Sequence, residues 1–188
     1  MSIAISVITT ANRKRDFTQQ DENLSLEIFR NLGSCGQLFS SRVLIFGSSN
    51  ETEIFNPSSI TRIEVVTGQD ITEYIPKLLM AGRLTFTALS ADVMDNSPEP
   101  TINDNQVAGR VDFFFEGGDM LSVWMEGAAG SDQTERYMML NKVFEQSVIV
   151  YKLPQGGIGL MNPAVMTRAV IKAGAPSLPQ GAWRVEQA

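Results

Sequence analysis

The sequence predicts a mainly β fold, a sandwich or a closed barrel with one to three short helices, and leaves an α+β fold as the alternative. Short runs rich in β-branched and aromatic residues recur along the chain, separated by turns of glycine, proline and asparagine. Two such runs flank Gly117-Gly118, a dipeptide typical of tight hairpin turns. Two seven-residue words, residues 56–62 and 162–168, nearly repeat each other, and each leads into a further β-rich run.

The chain is expected to begin with a strand over residues 2–10, because apolar side chains alternate with smaller ones there. A polar stretch over residues 12–23 follows. Apolar residues at every fourth position from Leu24 to Leu32 then favour a helix that ends at Gly33. Alternating apolar residues in the same segment leave a strand as the alternative.

Residues 42–46 and 53–55 are predicted to be two strands joined by a turn at 47–50, and residues 60–67 a further strand. A helix is predicted over residues 70–81. Thr72 is a suitable cap for this helix, and Gly82 is a suitable end. Pro76 must lie in its first turn, because a proline further along would kink it.

Residues 83–90 alternate and predict a strand, after which residues 91–106 form the longest predicted loop. The hairpin around Gly117-Gly118 pairs residues 107–116 with residues 119–126. We expect Phe113 and Phe115 to face the core and Phe114 the opposite side, because strand side chains alternate between faces.

A further helix is predicted over residues 131–144, and strands over residues 148–153 and 158–161, with a last strand running from the second word to residue 172. Residues 1–172 therefore make one β-rich domain with an N-terminal arm. The remaining tail, residues 173–188, holds two prolines and two glycines and is expected to be extended. Its Trp183 and Val185 predict that the tail docks at an interface, because tryptophan carries a large apolar surface that a free tail would leave in water.

The two words have the same plan at an offset of 106 residues. Asparagine and proline begin each word, and threonine and arginine end it, which singles out Asn56, Pro57, Thr61 and Arg62 with Asn162, Pro163, Thr167 and Arg168. An asparagine side chain caps a helical turn, and proline suits its first position. We expect both words to be capped turns feeding strands. One interpretation is a common turn, and the other is a duplicated β unit.

Composition excludes several kinds of chemistry. The 188 residues include no histidine, so the commonest general base and metal ligand are absent, and the single cysteine excludes an internal disulfide. Cys35, which has no histidine to activate it, is expected to be a small buried or loop residue. No catalytic residue, cofactor or metal ligand is predicted.

Charge and hydropathy argue against nucleic acid and against a membrane as partners of this chain. The net charge of −6 argues against nucleic acid, and Arg13, Lys14 and Arg15 are offset by acidic neighbours. No run approaches the roughly 18 apolar residues of a membrane span. Positive charges follow the apolar start of the chain, whereas in a signal peptide they precede it. The expected location is the cytoplasm or a particle.

Two segments resemble binding sites only superficially. The loop 91–106 holds four carboxylates, the ligands that calcium prefers, but not at the spacing of an EF-hand loop, so a solvated loop is expected. The glycines of residues 155–159 have no helix after them to complete a phosphate cradle, so a hairpin turn is expected.

The function predicted from these observations is structural. Charged residues make up 19% of the chain, uncharged polar residues are abundant, and both ends look extended. We expect a subunit of a larger oligomeric particle, such as a virion, that works through self-association or contacts with other subunits. The alternative is a small β-barrel module that binds a ligand or partner through the loop 91–106. A hydrolase built on carboxylates is third.

Overall fold

The computed structural model describes residues 2–40, 43–47, 50–80, 84–94, 98–102, 106–128, 135, 141–172 and 183. Within these ranges the chain is mainly β, which confirms the predicted class. The strands are β1 Ile3–Thr9, β2 Lys14–Gln19, β3 Leu44–Gly47, β4 Thr52–Phe55, β5 Ile60–Val66, β6 Leu84–Ala88, β7 Thr101–Ile102, β8 Gln106–Phe115, β9 Met120–Ala128, β10 Ile149–Lys152, β11 Ile158–Met161 and β12 Met166–Ile171. The helices are α1 Glu22–Leu32, α2 Lys77–Met80 and α3 Ala91–Met94, and residues 141–144 are also helical.

Ten strands form one large mixed sheet in the order β12-β8-β9-β6-β10-β11-β5-β1-β2, with β7 paired to β8. Neighbouring strands are antiparallel except β6 and β10, which are parallel and meet at Lys152 and Thr87. β3 and β4 form a separate two-stranded sheet. The large sheet is not closed into a barrel, because β12 and β2 lie at its two ends. The closed barrel expected as one architecture, and the barrel form of the binding module, are therefore wrong.

Helix α1 confirms the predicted helix but not all of its details. Asp21 caps it, its carboxylate accepting a hydrogen bond from the Leu24 backbone nitrogen at 3.0 Å, and Gly33 is the C-cap. The buried face carries Ser25, Phe29 and Leu32. Leu24, which the four-residue spacing places on that face, is exposed.

The first half of the chain holds one strand that the sequence does not predict and one helix whose prediction is wrong. The polar stretch 12–23, for which the sequence predicts no regular element, contains β2, an edge strand of the main sheet that pairs with β1. The continuous helix predicted over residues 70–81 is instead a 3-10 turn, Thr72–Tyr74, followed by the short helix α2. Pro76 lies between the two and breaks the helical hydrogen bonding, because proline has no N–H to donate.

Three further predictions fall partly or mostly on residues outside the described ranges. The loop 91–106 contains α3 and β7, and its residues 95–97 and 103–105 lie outside the described residues. Most of the helix predicted over residues 131–144 also lies outside them. So does the tail 173–188, apart from Trp183.

Two hydrophobic cores hold the elements together. The first lies where β1, β5 and β11 pack against α1, and Phe29 and Ile60 are fully buried there. The second joins β6, β8 and β9 to β10 and β11, and includes Phe113, Phe115 and Tyr151. Phe113 and Phe115 face inward as predicted. Among the described residues, no helix is long and apolar enough to cross a membrane.

Candidate functional site

Both Asn-Pro words form a capped 3-10 turn that leads directly into a strand. Asn56 begins the turn Pro57–Ser59 before β5, and Asn162 begins the turn Pro163–Val165 before β12. Each asparagine side chain accepts a hydrogen bond from the backbone nitrogen two residues later, at 3.2 and 3.1 Å respectively. Proline at the first helical position sets the backbone angle that the turn needs.

The two capping asparagines differ in their surroundings. Asn56 is exposed, whereas Asn162 is buried and lies against the first word. The Asn162 amide nitrogen donates to the Ile60 carbonyl at 2.9 Å and to the Pro57 carbonyl at 3.4 Å. Asn162 therefore caps the turn of the second word and also holds the turn of the first word in place through two hydrogen bonds.

The strands before the two words pair differently. In the first hairpin Leu44 pairs with Phe55, and the matching positions in the second hairpin are Val150 and Met161. Val150 pairs instead with Leu160, a shift of one residue. Because of this shift Val150 packs against the first core and Met161 lies in the second, whereas Leu44 and Phe55 share one face.

Thr61 and Arg62, the end of the first word, belong to a buried polar cluster. The Thr61 hydroxyl donates to the Asp119 carboxylate at 3.0 Å, and the Arg62 guanidinium is ion-paired with the same carboxylate. Arg62 also donates to Glu64 at 3.1 Å, and the Tyr151 hydroxyl donates to Glu64 at 3.0 Å. The cluster thus joins β5, β10 and the turn between β8 and β9.

The turn at Gly117-Gly118 places Asp119 in this cluster. Both glycines have positive φ, 76° and 88°, which other residues rarely adopt. Gly117 lies directly against the Thr10 backbone, where a Cβ atom would overlap the carbonyl oxygen. Because the turn packs closely against the end of β1, Asp119 lies within contact distance of Thr61 and Arg62.

The chemistry of the cluster is that of a cross-link. One guanidinium holds both carboxylates, and Asp119 is almost fully buried. Burial, together with the nearby charge of Glu64, raises the pKa of Tyr151, so its hydroxyl remains a donor.

Sequence reasoning identified Thr61 and Arg62 but missed Asp119, Glu64 and Tyr151. The Thr61–Asp119 and Glu64–Tyr151 hydrogen bonds join residues 58 and 87 positions apart. No spacing along the chain indicates such pairs, because the sheet topology alone brings them together.

Thr167 and Arg168, the end of the second word, lie apart from that cluster. The Thr167 hydroxyl donates to the Phe114 carbonyl at 3.1 Å, and the Arg168 guanidinium lies 4.1 Å from the centre of the Phe114 ring. Both residues are exposed, on the face of β8 opposite the core. Matching residues of the two words therefore have different neighbours.

The β3–β4 hairpin is apolar on both faces. Its inner face carries Phe46 and Phe55, which pack with Phe17 of β2; the Phe17 and Phe46 rings stack with centroids 4.5 Å apart. On the outer face Ile45 and Ile54 lie directly opposite each other and are 57% and 64% exposed. Val43, at 49%, extends the exposed surface, and we call these three side chains the hairpin patch.

A cleft of about 360 Å³ opens between β2 and this hairpin. Its apolar lining includes Ile5, Phe17, Ile28 and Phe46, and its charged lining consists of Arg15, Asp16, Glu51 and Glu53.

An ion pair spans this cleft from β2 to β4. The Arg15 guanidinium binds Glu53 through two hydrogen bonds, one of them 2.9 Å long. Hydrogen bonding within the pair raises the pKa of Arg15 and lowers that of Glu53. None of the described residues of the loop 91–106 lines the cleft.

Cys35 is fully buried, and burial raises the pKa of its thiol to about 11. A thiol that remains protonated at neutral pH is a poor nucleophile. In the described part of the chain, no group of three or more acidic or cysteine side chains is placed to hold a metal ion.

Of the two tail residues predicted to form an interface, the structure describes one. Trp183 is 92% exposed, and Val185 lies outside the described residues. The comparisons with known proteins give no further guide: no protein-family model, no curated protein and no solved structure matches this chain.

Proposed function

We propose that this protein is an assembly subunit, which builds a larger oligomeric particle through protein–protein contacts. The observation that carries the proposal is the hairpin patch. Ile45, Ile54 and Val43 expose apolar surface on a sheet whose other face is already packed. A strand pair that is apolar on both faces is typical of sheets covered on both sides.

The small size of the β3–β4 sheet supports the same conclusion. A two-stranded hairpin is marginally stable in water by itself, and exposed apolar surface adds to the cost. Contact with another subunit would remove that surface from water. A virus particle is the finer form of this proposal, since its subunits are covered on several sides by neighbours.

The three side chains of the patch cannot form a whole interface. A stable protein–protein contact buries about 800 Å² on each partner, far more than three aliphatic side chains present. The proposal therefore requires at least one further contact surface.

The mass in solution tests the proposal. We expect light scattering, coupled to chromatography, to give a multimer for the wild type, and a smaller species for the double variant I45T/I54T. Threonine keeps the β-branched shape and removes most of the apolar character, so the hairpin should persist. Leu24→Gln is the matched control, because Leu24 is similarly exposed, on α1. A wild type that is monomeric at every concentration would exclude self-assembly.

A further inference from the structure

We propose that the cleft between β2 and the β3–β4 hairpin binds the C-terminal tail of a second copy of this chain. Trp183 would enter the cleft, and Arg184 would face its acidic lining. This inference rests on the proposed function, since it names the second contact surface that assembly requires.

The apolar lining of the cleft suits a tryptophan. Phe17 and Phe46 stack in its wall, and Ile28 adds aliphatic surface. Trp183 is 92% exposed, so nearly all of its surface is available to a partner. Tryptophan is among the residues that most often anchor interfaces, because one ring buries much area with few rotatable bonds.

The charges of the cleft suit the residue that follows. Asp16, Glu51 and Glu53 line it together with Arg15, and Lys14 pairs with Asp16 at 3.0 Å, so these five side chains together carry one net negative charge. Arg184 directly follows Trp183 in the sequence. Complementary charges fix orientation and exclude wrong partners, so a Trp-Arg pair is a suitable ligand for this cleft.

The tail is long enough to reach a neighbour. The described strand β12 ends at Ile171, and the twelve residues from there to Trp183 can span about 40 Å when extended. One arm and one cleft per subunit make a heterologous contact, in which different surfaces meet. Such contacts generate closed rings or open filaments, which is consistent with a particle.

A charge swap in the full-length chain tests the inference. Four variants are compared with the wild type by light scattering: W183S, E51K, R184E and the double variant E51K/R184E. We expect each single change to weaken assembly, W183S by about tenfold or more. The double variant should recover much of the loss, because it restores opposite charges at the same contact.

The fluorescence of Trp183 gives an independent measurement. The chain has two tryptophans, so the variant W124F leaves Trp183 as the sole tryptophan, which is excited selectively at wavelengths that tyrosine does not absorb. We expect its emission to move to shorter wavelength as the protein concentration rises, because the ring leaves water on assembly.

The outcomes separate this inference from the proposed function. If the wild type and W183S assemble equally, the tail does not bind the cleft, and the assembly proposal stands. A double variant no better than R184E would overturn the pairing of Arg184 with the cleft. If the wild type is monomeric, both proposals fail, and a shifted emission that does not depend on concentration would mean that the tail binds its own subunit.

Discussion

The buried asparagine of the second word should contribute more to stability than the exposed asparagine of the first. Both side chains cap a 3-10 turn through the same kind of hydrogen bond. Losing a cap costs about 0.5–2 kcal/mol. At Asn162 the Ile60 carbonyl also loses a donor, and a buried polar group without a partner costs about 1–3 kcal/mol more. We expect Asn162→Ala to exceed Asn56→Ala by about 1–3 kcal/mol in free energy of unfolding.

Aspartate substitutions isolate the donor. Aspartate caps about as well as asparagine, so Asn56→Asp should change stability by less than about 0.5 kcal/mol. Asn162→Asp keeps the acceptor but sets a carboxylate oxygen against the Pro57 and Ile60 carbonyls. We expect it to cost about 2 kcal/mol or more.

Urea unfolding, followed by circular dichroism, measures all four variants. The comparison is valid if the dependence of the free energy on urea is unchanged, because the surface exposed on unfolding is then the same. Equal losses at the two asparagines, or a neutral Asn162→Asp, would show that the contact between the words contributes nothing to stability.

Three further predictions concern single positions. Phe113→Ala should cost about 3–5 kcal/mol, because the ring is buried, and Phe114→Ala far less; a urea titration that gives similar losses would contradict the assigned faces. Gly117→Ala should destabilise much more than Gly118→Ala in the same assay, since both have positive φ but a Cβ at Gly118 meets nothing within 4 Å. The Cys35 thiol should react with a thiol reagent at pH 8 only after urea unfolds the chain. Rapid labelling of the native chain would contradict its burial. Folding raises the pKa of the Cys35 thiol to about 11, so the free energy of unfolding that this group contributes is present below the ordinary thiol pKa and is lost as pH rises toward 11. The variant Cys35→Ala should show a smaller loss of stability over this pH range.

The predicted elements that the structure confirms depend on local rules. The hairpin at Gly117-Gly118 follows from backbone angles that glycine alone adopts readily. The two capped turns follow from one asparagine and one proline each. In each case the information lies within a few residues of the feature itself.

The missed features depend on pairing and packing between elements. β2 reads as a polar segment, since it is an edge strand whose residues are all at least partly exposed. It forms because β1 offers a complete partner for pairing. The cluster of Arg62, Asp119 and Tyr151 is a product of sheet topology, and the cleft exists only because a separate hairpin packs beside β2.

The parallel junction between β6 and β10 has a consequence for the motions of the molecule. Among the described residues, Lys152 and Thr87 are the one pair that links the backbone ladders on its two sides. Side chains of the second core, rather than main-chain hydrogen bonds, therefore carry most of the cohesion there. Amide protons of β6 and β10 at this junction should exchange with solvent through local opening. Those at the centre of β8 and β9 should exchange only when the whole molecule unfolds. We therefore expect the large sheet, although its strand order is continuous, to open as two cooperative units that meet at this junction.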